Sequence, residues 1–535
     1  MTQNNALADE ILRALLQKGV REFSVAPGSR NAPFVQALSG STQTRCYIWP
    51  EERSAGFFAL GRIKATGKPV AVIVTSGTAA AELLPAVMEA HYSGLPLVVV
   101  TADRPRRLRG TGAPQTAEQK ELYSVYTEHA EDLAEGERCR LETWQSTGPA
   151  HLNVCFEEPS HEESRGHLLD AYLLLSSEVK TECATRLNVT IENDLKNFLA
   201  PLQCPLVLVG ALEREAQDAV REFLHSLKLP VYLEGLSGIR EDPLLKTLRI
   251  RAIDQAWKFS KDAGYPLDGI IRIGEMPTAR LWRDLDQRNL PVLSICPLSF
   301  KGLSACCLLQ MNLKHLPPLQ ARKEPSPSAL AWIDTDRHFA QQLENLFMEE
   351  PLAEPSLIHT LSSRLPLQSK IYLGNSLPIR EWDLAATLEP RSYQIAANRG
   401  LNGIDGQIAT FLGYSSPEQE NWALIGDLTA LYDMAGFWIG NQMDGIDLNL
   451  IIVNNQGGQI FSRLFQNPLF LNSHQLEFDH LAAFWKWGYE KWTQIPEKIS
   501  GYKGRRLIEL TPDPVATRNF WKKYTNFLLP RDHEF

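Results

Sequence analysis

Two segments near the carboxyl end of the chain read WALIGDLTALYD (residues 422–433) and LNLIIVNNQGGQIF (residues 448–461). Each begins with a continuous apolar run, which is typical of a strand buried on both faces of a parallel sheet. Polar residues and glycine follow each run, with Asp427 in the first segment and Asn455 ahead of Gly457 in the second. A helix-length stretch separates the runs, so they form one strand–helix–strand unit. We therefore predict that Asp427 and Asn455 follow neighbouring parallel strands, at the edge where open α/β sheets bind ligands.

The groups predicted to meet at this edge are all oxygen donors: the Asp427 carboxylate, the Asn455 amide oxygen and the Gly457 carbonyl. Mg²⁺ prefers such hard ligands and completes its octahedron with water and substrate phosphates. Gly426 and Gly457 would also let the backbone approach a diphosphate closely. Each motif alone is an ordinary turn signal. Together, on flanking buried strands, they favour a magnesium–diphosphate site.

Strand-like and helix-like segments alternate along the rest of the chain. A helix is predicted over residues 78–91, between two apolar runs. The predicted strands lie at residues 22–26, 70–75, 96–101, 205–210, 229–234, 269–273, 290–295, 370–373, 393–396, 422–425 and 448–453. This alternation is typical of parallel crossover units, whose sheets need helices on both faces.

The polar and proline-containing stretches predict where domains meet. A linker is predicted at residues 176–188, and further boundaries at residues 324–328 and 354–356. The fold class is therefore predicted to be α/β, with three domains that each contain a mostly parallel sheet flanked by helices. The predicted domains are residues 1–180, 190–350 and 355–535.

Composition excludes several classes of protein. The chain has 535 residues and a net charge of −9, which disfavours a nucleic-acid binder because such a protein needs a basic face. No apolar run reaches the roughly 20 residues of a membrane helix, and acidic Asp9 and Glu10 do not fit a secretory signal. The eight cysteines are scattered without a CxxC pair, so neither a disulfide framework nor a zinc site is expected. A cytoplasmic enzyme is the expectation.

A Gly-Asp pair followed one strand–helix–strand unit later by Asn-Asn resembles the signature of thiamine-diphosphate enzymes. In these enzymes a carboxyl group held against N1′ of the aminopyrimidine ring drives the tautomerisation that lets the cofactor lose its C2 proton. That glutamate lies in the amino-terminal domain, and EERS at residues 51–54 stands at the matching place. A glutamate before a helix is otherwise a cap or dipole partner. With the carboxyl-terminal motif present, we predict Glu52 as the catalytic carboxyl, with Glu51 as the alternative.

A narrower resemblance covers the chain from near its start to about residue 465 and is weakest in the middle. The chain resembles the 2-succinyl-5-enolpyruvyl-6-hydroxy-3-cyclohexene-1-carboxylate synthases, thiamine-diphosphate enzymes of menaquinone and phylloquinone biosynthesis. The blocks that carry this resemblance are VAPGSRNAP (25–33), EERS (51–54), VAVIVTSGTA (70–79), TADRP (101–105), GAPQTAEQ (112–119), GNSLPIR (374–380), NRGLNGIDG (398–406), IGDLTALYD (425–433) and VNNQGGQIF (453–461).

The resemblance implies a transferase that decarboxylates 2-oxoglutarate and adds the resulting succinyl-semialdehyde carbanion equivalent to isochorismate, with release of CO₂. It implies thiamine diphosphate and Mg²⁺ as cofactors, with Mn²⁺ able to replace Mg²⁺. It also implies a homodimer or homotetramer in which two subunits share each active site.

The resemblance further assigns site residues. Both substrates are dicarboxylates, and arginine suits them because its guanidinium pairs with carboxylate in a bidentate manner. The substrate-binding positions are Ser29, Arg30, Arg104, Gln115, Arg280, Ser376, Arg380 and Arg399, with Ser376 and Arg399 near the reacting centre. The cofactor-binding positions are Glu52, Gln115, Ile404, Gly426, Asp427, Asn455, Gly457, Gln459, Ile460 and Phe461; Asp427, Asn455 and Gly457 are the implied metal ligands. By contrast, Arg106, Arg107 and Arg109 are expected to be solvated.

Three other functions are compatible with parts of this pattern. An acetohydroxyacid synthase or another thiamine-diphosphate 2-oxoacid decarboxylase would share the cofactor motifs, but pyruvate has one carboxylate and does not need the arginine blocks. A non-catalytic regulator that binds a nucleotide or a cofactor could retain the same fold. At the level of single residues, Ile404 could belong to the hydrophobic core and not to the cofactor site. A dinucleotide-dependent dehydrogenase is disfavoured because no GxGxxG follows a strand.

Overall fold

The computed structural model describes residues 3–158, 188–319, 322–465, 467–499 and 501–528. These residues form three parallel sheets of six strands, and each third of the chain contributes one sheet with its helices. The predicted α/β class is therefore confirmed. Residues 176–187 of the predicted linker lie outside the described residues, and residue 188 already begins a helix.

The first sheet has the strand order β2-β1-β3-β4-β6-β5. Its strands are β1 (Glu22–Val25), β2 (Arg45–Ile48), β3 (Val70–Val74), β4 (Leu97–Asp103), β5 (His129–Leu133) and β6 (Ala150–Cys155), and its helices are α1 (Gln3–Gln17), α2 (Ala32–Ser39), α3 (Glu52–Thr66), α4 (Thr78–Glu82) and α5 (Leu84–Ser93). Every residue of β3 and β4 is buried, as their apolar runs predict. The predicted helix over residues 78–91 is two helices, because Pro85 lacks an N–H and stands in the first turn of α5.

The second sheet has the strand order β12-β11-β10-β7-β8-β9. Its strands are β7 (Pro205–Val209), β8 (Val231–Leu233), β9 (Arg249–Ile250), β10 (Gly269–Ile273), β11 (Val292–Cys296) and β12 (Cys307–Gln310), and its helices are α6 (Asn188–Leu199), α7 (Gln217–Leu227), α8 (Ala256–Asp262), α9 (Arg280–Asp284) and α10 (Pro327–Glu349). The predicted boundary at residues 324–328 includes Ser326, whose side chain caps the long helix α10.

The third sheet has the strand order β14-β13-β15-β16-β18-β17. Its strands are β13 (Lys370–Leu373), β14 (Gln394–Ala396), β15 (Asn421–Gly426), β16 (Leu448–Val453), β17 (Gly488–Trp492) and β18 (Arg505–Leu510), and its helices are α11 (Glu354–Arg364), α12 (Leu377–Ala385), α13 (Gln407–Tyr414), α14 (Asp427–Tyr432), α15 (Asp479–Trp485) and α16 (Pro514–Leu528). Residues 354–356, predicted to be a boundary, form the buried first turn of α11.

The first and third sheets are joined through helices α3 and α13. Gly61 of α3 and Gly413 of α13 meet where the helices cross, and a Cβ on Gly61 would overlap the backbone at Thr410. Thr410 Oγ1 also donates a hydrogen bond to the Phe57 carbonyl across this crossing (3.2 Å). The crossing fixes the start of α3, which carries Glu52, against the third sheet. None of the helices within the described ranges has the length and apolar composition needed to cross a membrane.

Candidate functional site

Asp427 and Asn455 follow two hydrogen-bonded neighbours in the third sheet. Strands β15 and β16 pair in parallel with Gly426 opposite Val453, so the residues after both strands emerge at one edge. Asp427 begins α14 directly after β15, and Asn455 lies in the loop just beyond β16. The predicted placement of both residues after neighbouring parallel strands is confirmed.

The buried Asp427 carboxylate is held by backbone amides from both sides. Its Oδ1 accepts from the Leu428 amide at 2.6 Å, and its Oδ2 accepts from the Gly457 amide at 2.9 Å. Gly457 has φ +133°, and a Cβ there would overlap the Leu471 carbonyl. Glycine is required at this position because its φ is positive and its backbone lies this close to the Leu471 carbonyl.

Within the described part of the chain, the side-chain amide of Asn455 is hydrogen-bonded through its nitrogen but not through its oxygen. Its Nδ2 donates to both carboxylate oxygens of Glu354 at 3.0 Å. Its Oδ1 is buried and has no hydrogen-bond partner. A buried acceptor without a donor is costly unless another group binds it. Together with the Asp427 carboxylate, this oxygen fits a hard divalent cation such as Mg²⁺.

The electrostatics of this edge also favour a cation. Burial raises the pKa of Asp427, although the amides of Gly457 and Leu428 partly offset it. Burial raises the pKa of Glu354 to about 7, against donation from Asn455, and raises that of neighbouring Glu381 well above its usual range. Among the described residues, no lysine or arginine forms an ion pair with these three carboxyl groups.

His474 is a member of this edge that sequence analysis missed. Its Nδ1 accepts from the Leu476 amide at 3.2 Å, so the ring proton is on Nε2. Nε2 lies 3.3 Å from Asp427 Oδ2, is buried and makes no hydrogen bond. A buried N–H without a hydrogen-bond partner at this edge is available to an oxygen of a bound ligand. No motif surrounds His474 that could have pointed to it.

The remaining cofactor positions of the third domain lie in adjoining loops. Gln459, Ile460 and Phe461 form one 3₁₀ turn after Gly458, and Gln459 Nε2 donates to the Asn455 carbonyl at 3.3 Å. The predicted ligand carbonyl of Gly457 accepts from the Gln459 amide at 2.8 Å and keeps a second lone pair. Ile404 is half-buried in the turn before α13.

Glu51 and Glu52 have different roles at the start of α3. The Glu51 carboxylate caps the helix, with Oε1 accepting from the Arg53 amide at 3.0 Å and Oε2 from the Ser54 amide at 2.9 Å. Glu52 is half-buried, and burial, together with the charges of Glu51 and Glu82, raises its pKa. Glu51 is thus occupied by the backbone, whereas Glu52 has the raised proton affinity that sharing a proton with a ring nitrogen requires.

The structure brings together three of the four substrate positions predicted in the first domain. Buried Arg30 pairs with Glu158 (Nη2–Oε2, 2.7 Å), and Arg104 approaches the same carboxylate oxygen at 3.8 Å. Arg104 Nη2 also donates to Gln115 Oε1 at 3.2 Å. Ser29 is exposed in the loop beside Arg30. The Glu158 carboxylate is therefore near both guanidinium groups, so Arg30 and Arg104 are positioned to bind a carboxylate.

Arg109 is not the solvated residue that the sequence predicted. Its Nη2 contacts Asp103 Oδ2 at 3.0 Å, Asp132 Oδ1 at 2.6 Å and Cys155 Sγ at 3.1 Å. Asp103, Asp132 and Cys155 are close enough to share a metal ion, but the guanidinium already compensates their charge. Arg107, in contrast, is largely exposed and pairs with Glu157.

A second group of predicted substrate residues borders a cavity of about 790 Å³ that is lined by residues from all three thirds of the chain. Arg380 and Arg399 line it, together with Arg283 of α9. Burial and repulsion from Arg399 and Arg283 lower the pKa of Arg380. The lining has five basic side chains against two acidic ones, so the cavity favours anions.

Two hydrogen bonds, one to the backbone and one to a side chain, hold the predicted arginines of this cavity. Ser376 adopts φ +75°, a strained conformation for a non-glycine residue, and its carbonyl accepts from Arg380 Nη1 at 2.6 Å. Buried Arg399 donates from Nη1 to Asn375 Oδ1 at 2.7 Å, while its Nε has no partner. The structure does not bring Arg280 to the cavity: this exposed side chain pairs with Asp284 at 3.7 Å.

Comparison with known proteins agrees with this geometry. Residues 5–122 match the family described as the thiamine pyrophosphate enzyme, N-terminal TPP binding domain. A 2-succinyl-5-enolpyruvyl-6-hydroxy-3-cyclohexene-1-carboxylate synthase of Bdellovibrio bacteriovorus is 42% identical over 97% of this chain and 98% of its own length. The synthase of the same name from Akkermansia muciniphila is 33% identical over 95% of this chain and 96% of its own length.

A solved structure supports the fold independently of close sequence similarity. The chain superimposes on a putative thiamin diphosphate-dependent enzyme from Mycobacterium smegmatis with a TM-score of 0.67, at 14% identity, covering 95% of this chain and 99% of that one. The fold is therefore that of thiamine-diphosphate enzymes, as the sequence predicts. On the strength of the near full-length relatives, the chain belongs to the 2-succinyl-5-enolpyruvyl-6-hydroxy-3-cyclohexene-1-carboxylate synthase family and is a thiamine-diphosphate-dependent enzyme.

Proposed function

We propose that the protein decarboxylates 2-oxoglutarate and joins the remaining four-carbon unit to isochorismate, as a carboligase of menaquinone or phylloquinone biosynthesis. The observation that carries the proposal is the buried, unpartnered Asn455 Oδ1 at the sheet edge that Asp427 shares. The family membership selects this reaction among those that the cofactor serves.

Asp427, Asn455 and the Gly457 carbonyl would hold Mg²⁺, or Mn²⁺ in its place, and the metal would bind the diphosphate of the cofactor. Gly426 leaves room beside the diphosphate, since a Cβ there would have no neighbour closer than 3.8 Å. His474 Nε2 would donate to a diphosphate oxygen. Gln459, Ile460 and Phe461 follow in the same loop and would contact the rest of the cofactor, and Ile404 would support the thiazolium ring.

Thiamine diphosphate, when bound, supplies the nucleophilic carbon that takes up the acyl group of a 2-oxoacid. Glu52 would hold a proton against N1′ of the aminopyrimidine, a task that suits a carboxyl group whose pKa burial has raised. The protein's further contributions are orientation of the substrates, exclusion of water and neutralisation of carboxylates.

The arginines of both groups would bind the substrate carboxylates. Arg30 and Arg104, which have Gln115 and Ser29 near them, already contact one carboxylate, that of Glu158. Arg380 and Arg399 border the cavity, and Ser376 would lie near the reacting centre. Two separate cationic groups match two dicarboxylate substrates better than they match pyruvate. Arg280 would contribute only if its side chain left Asp284.

We also propose a homodimer or homotetramer whose subunits share active sites. Four exposed apolar side chains lie near the start of α3, which carries Glu52: Ile48, Tyr432, Met434 and Trp438. Arg53, the neighbour of Glu52, donates to the Tyr432 carbonyl at 3.1 Å, which connects this patch to α14. A second copy of the chain would cover the patch. The domain boundaries near residues 180 and 355 and the cytoplasmic location stay predictions.

The direct test of the reaction incubates the purified protein with thiamine diphosphate, Mg²⁺, 2-oxoglutarate and isochorismate. The proposal expects both substrates to disappear in equal amounts and CO₂ to be released. Consumption of pyruvate but not of isochorismate would instead indicate another thiamine-diphosphate decarboxylase or an acetohydroxyacid synthase. Absence of any turnover would favour a non-catalytic protein.

Arg399→Ala is expected to lower kcat/KM roughly 10- to 100-fold, since a hydrogen bond to a charged group contributes about 1.5–3 kcal/mol. Initial rates at varied substrate concentrations measure this change. Arg337→Ala is the control, because it removes the same charge from an exposed ion pair on α10. Equal effects of the two substitutions would exclude a specific role for Arg399.

Mixing two inactive variants tests whether active sites are shared. If Glu52 and Asp427 of one site come from different subunits, hybrids of Glu52→Gln and Asp427→Asn contain one intact site. After subunit exchange, about a quarter of the wild-type activity is expected, because about half of randomly mixed dimers are hybrids with one good site of two. No recovery, with exchange verified by mass spectrometry, would show that each subunit forms its own site.

A further inference from the structure

Glu354 is the first residue of α11 and lies far from Asn455 in sequence, yet the two side chains are in contact. Its carboxylate is buried, with 3% of the residue exposed. The backbone around it is fixed by α16: the Glu354 amide donates to Thr517 Oγ1 at 3.1 Å, and the Asp513 amide donates to the Leu352 carbonyl at 3.0 Å. The position of the carboxylate is therefore set by two helices rather than by a loop.

The contact determines which way the Asn455 amide faces. A carboxylate only accepts hydrogen bonds, whereas a primary amide has a donor side and an acceptor side. Because both Glu354 oxygens accept from Asn455 Nδ2 at 3.0 Å, Oδ1 must face the opposite way. That oxygen is buried and has no protein donor. A rotated amide would leave two N–H groups where a cation is to bind.

Glu381 of α12 is a second buried carboxyl group beside Glu354. It is 2% exposed, and neither of its oxygens has a hydrogen-bond partner. Burial, and then repulsion from Glu354, raises the pKa of Glu381 well above its usual range. Only Glu354 receives the two bonds from Asn455. Of the two neighbouring carboxyl groups, Glu354 is therefore the one that holds the amide.

We propose that Glu354 is a positioning residue for the metal: it locks the Asn455 amide so that Oδ1 is presented to the divalent cation. This inference rests on the proposed magnesium site. A role in stabilising the start of α11 would not explain the geometry, because among the described residues the Glu354 side chain does not cap this helix and both of its oxygens accept from Asn455 instead. Groups that orient a metal ligand in this way typically change metal affinity 10- to 100-fold when they are replaced.

The test measures binding of Mn²⁺ by electron paramagnetic resonance, with thiamine diphosphate present and no substrate. Glu354→Gln is expected to weaken Mn²⁺ binding roughly 10- to 100-fold. The glutamine amide has both a donor and an acceptor, so it can also pair with Asn455 when the Asn455 amide is rotated. Glu381→Gln is the matched control: it makes the same substitution at the neighbouring buried carboxyl group, which receives no hydrogen bond from Asn455, and should change the affinity by less than about threefold.

A double-mutant cycle separates positioning from general stabilisation. In an Asn455→Ala background, Glu354→Gln should weaken Mn²⁺ binding by less than about twofold, since the side chain through which it acts is absent. Should Glu354→Gln fail to fold, Glu354→Asp takes its place in the cycle; it keeps the charge, withdraws the carboxylate by one methylene and should cost about tenfold.

The outcomes distinguish this inference from the proposed function. Wild-type affinity in Glu354→Gln, or an undiminished loss in the Asn455→Ala background, overturns the positioning role and leaves the magnesium site intact. If Asn455→Ala itself binds Mn²⁺ as the wild type does, the magnesium site is wrong and the positioning role fails with it.

Discussion

Asp427→Asn is expected to weaken binding of the magnesium–thiamine diphosphate complex by roughly 100-fold or more and to remove turnover at ordinary cofactor concentrations. Replacing groups that only orient a ligand already costs 10- to 100-fold in metal affinity, so losing a charged ligand should cost at least as much. The substitution also offers an N–H₂ group where the Gly457 amide now donates at 2.9 Å. Isothermal titration of the metal-free protein with the complex measures the affinity.

Asp433→Asn is the control for this substitution. Asp433 is equally buried, lies at the other end of α14, and accepts from the Ala409 amide at 3.0 Å, a bond that an asparagine oxygen can retain. The substitution replaces a buried carboxyl group directly after the same helix, so cofactor affinity should stay within a few-fold of the wild type. If both variants lose cofactor equally, the effect reports damage to α14 and not a missing ligand.

Glu52→Gln is expected to lower kcat by roughly 10²- to 10⁴-fold while cofactor binding is largely kept, because the amide cannot exchange a proton with the ring nitrogen. The exchange of the C2 proton of bound thiamine diphosphate for deuterium, followed by proton NMR after acid quench, should slow correspondingly. This measurement needs no substrate and therefore isolates the role of the carboxyl group.

Glu51→Gln gives the opposite pattern at the neighbouring position. Glu51 caps α3 through two backbone amides, so its replacement should lower the free energy of unfolding by about 1 kcal/mol and leave the exchange rate near that of the wild type. A slow exchange in Glu51→Gln combined with normal exchange in Glu52→Gln would reverse the two assignments.

Sequence patterns identify the strands whose apolar run is nearly continuous. The buried strands β3, β4 and β16 are recognisable in this way. Strands β6 and β18 are also buried but are missed, because polar residues such as His151 and Arg506 interrupt or shorten their apolar runs. The edge strands β2 and β5 are missed because polar or exposed residues occupy much of their length, so their composition does not differ from that of loops. Their pairing depends on neighbours that are distant in the chain.

The same limit applies to the candidate site. Asp427 and Asn455 could be placed because each directly follows a strand, and Glu52 because a recognisable block surrounds it. Glu354 lies in a stretch that was interpreted as a domain boundary, and its contact with Asn455 spans 101 residues of sequence. Arg109 likewise depends on Asp132 and Cys155, which only the folded sheet brings to it. Such long-range pairs leave no local pattern.

In the proposed holoenzyme, a divalent cation and a diphosphate are held at the edge formed by β15 and β16. A crystal structure of the protein grown with thiamine diphosphate and Mn²⁺ tests it most directly, through the anomalous scattering of the metal. The account predicts one anomalous peak about 2.0–2.2 Å from Asp427, Asn455 Oδ1 and the Gly457 carbonyl, with Glu52 against an aminopyrimidine ring. A peak elsewhere, or an Asn455 that turns its N–H₂ group toward the cofactor, would contradict it.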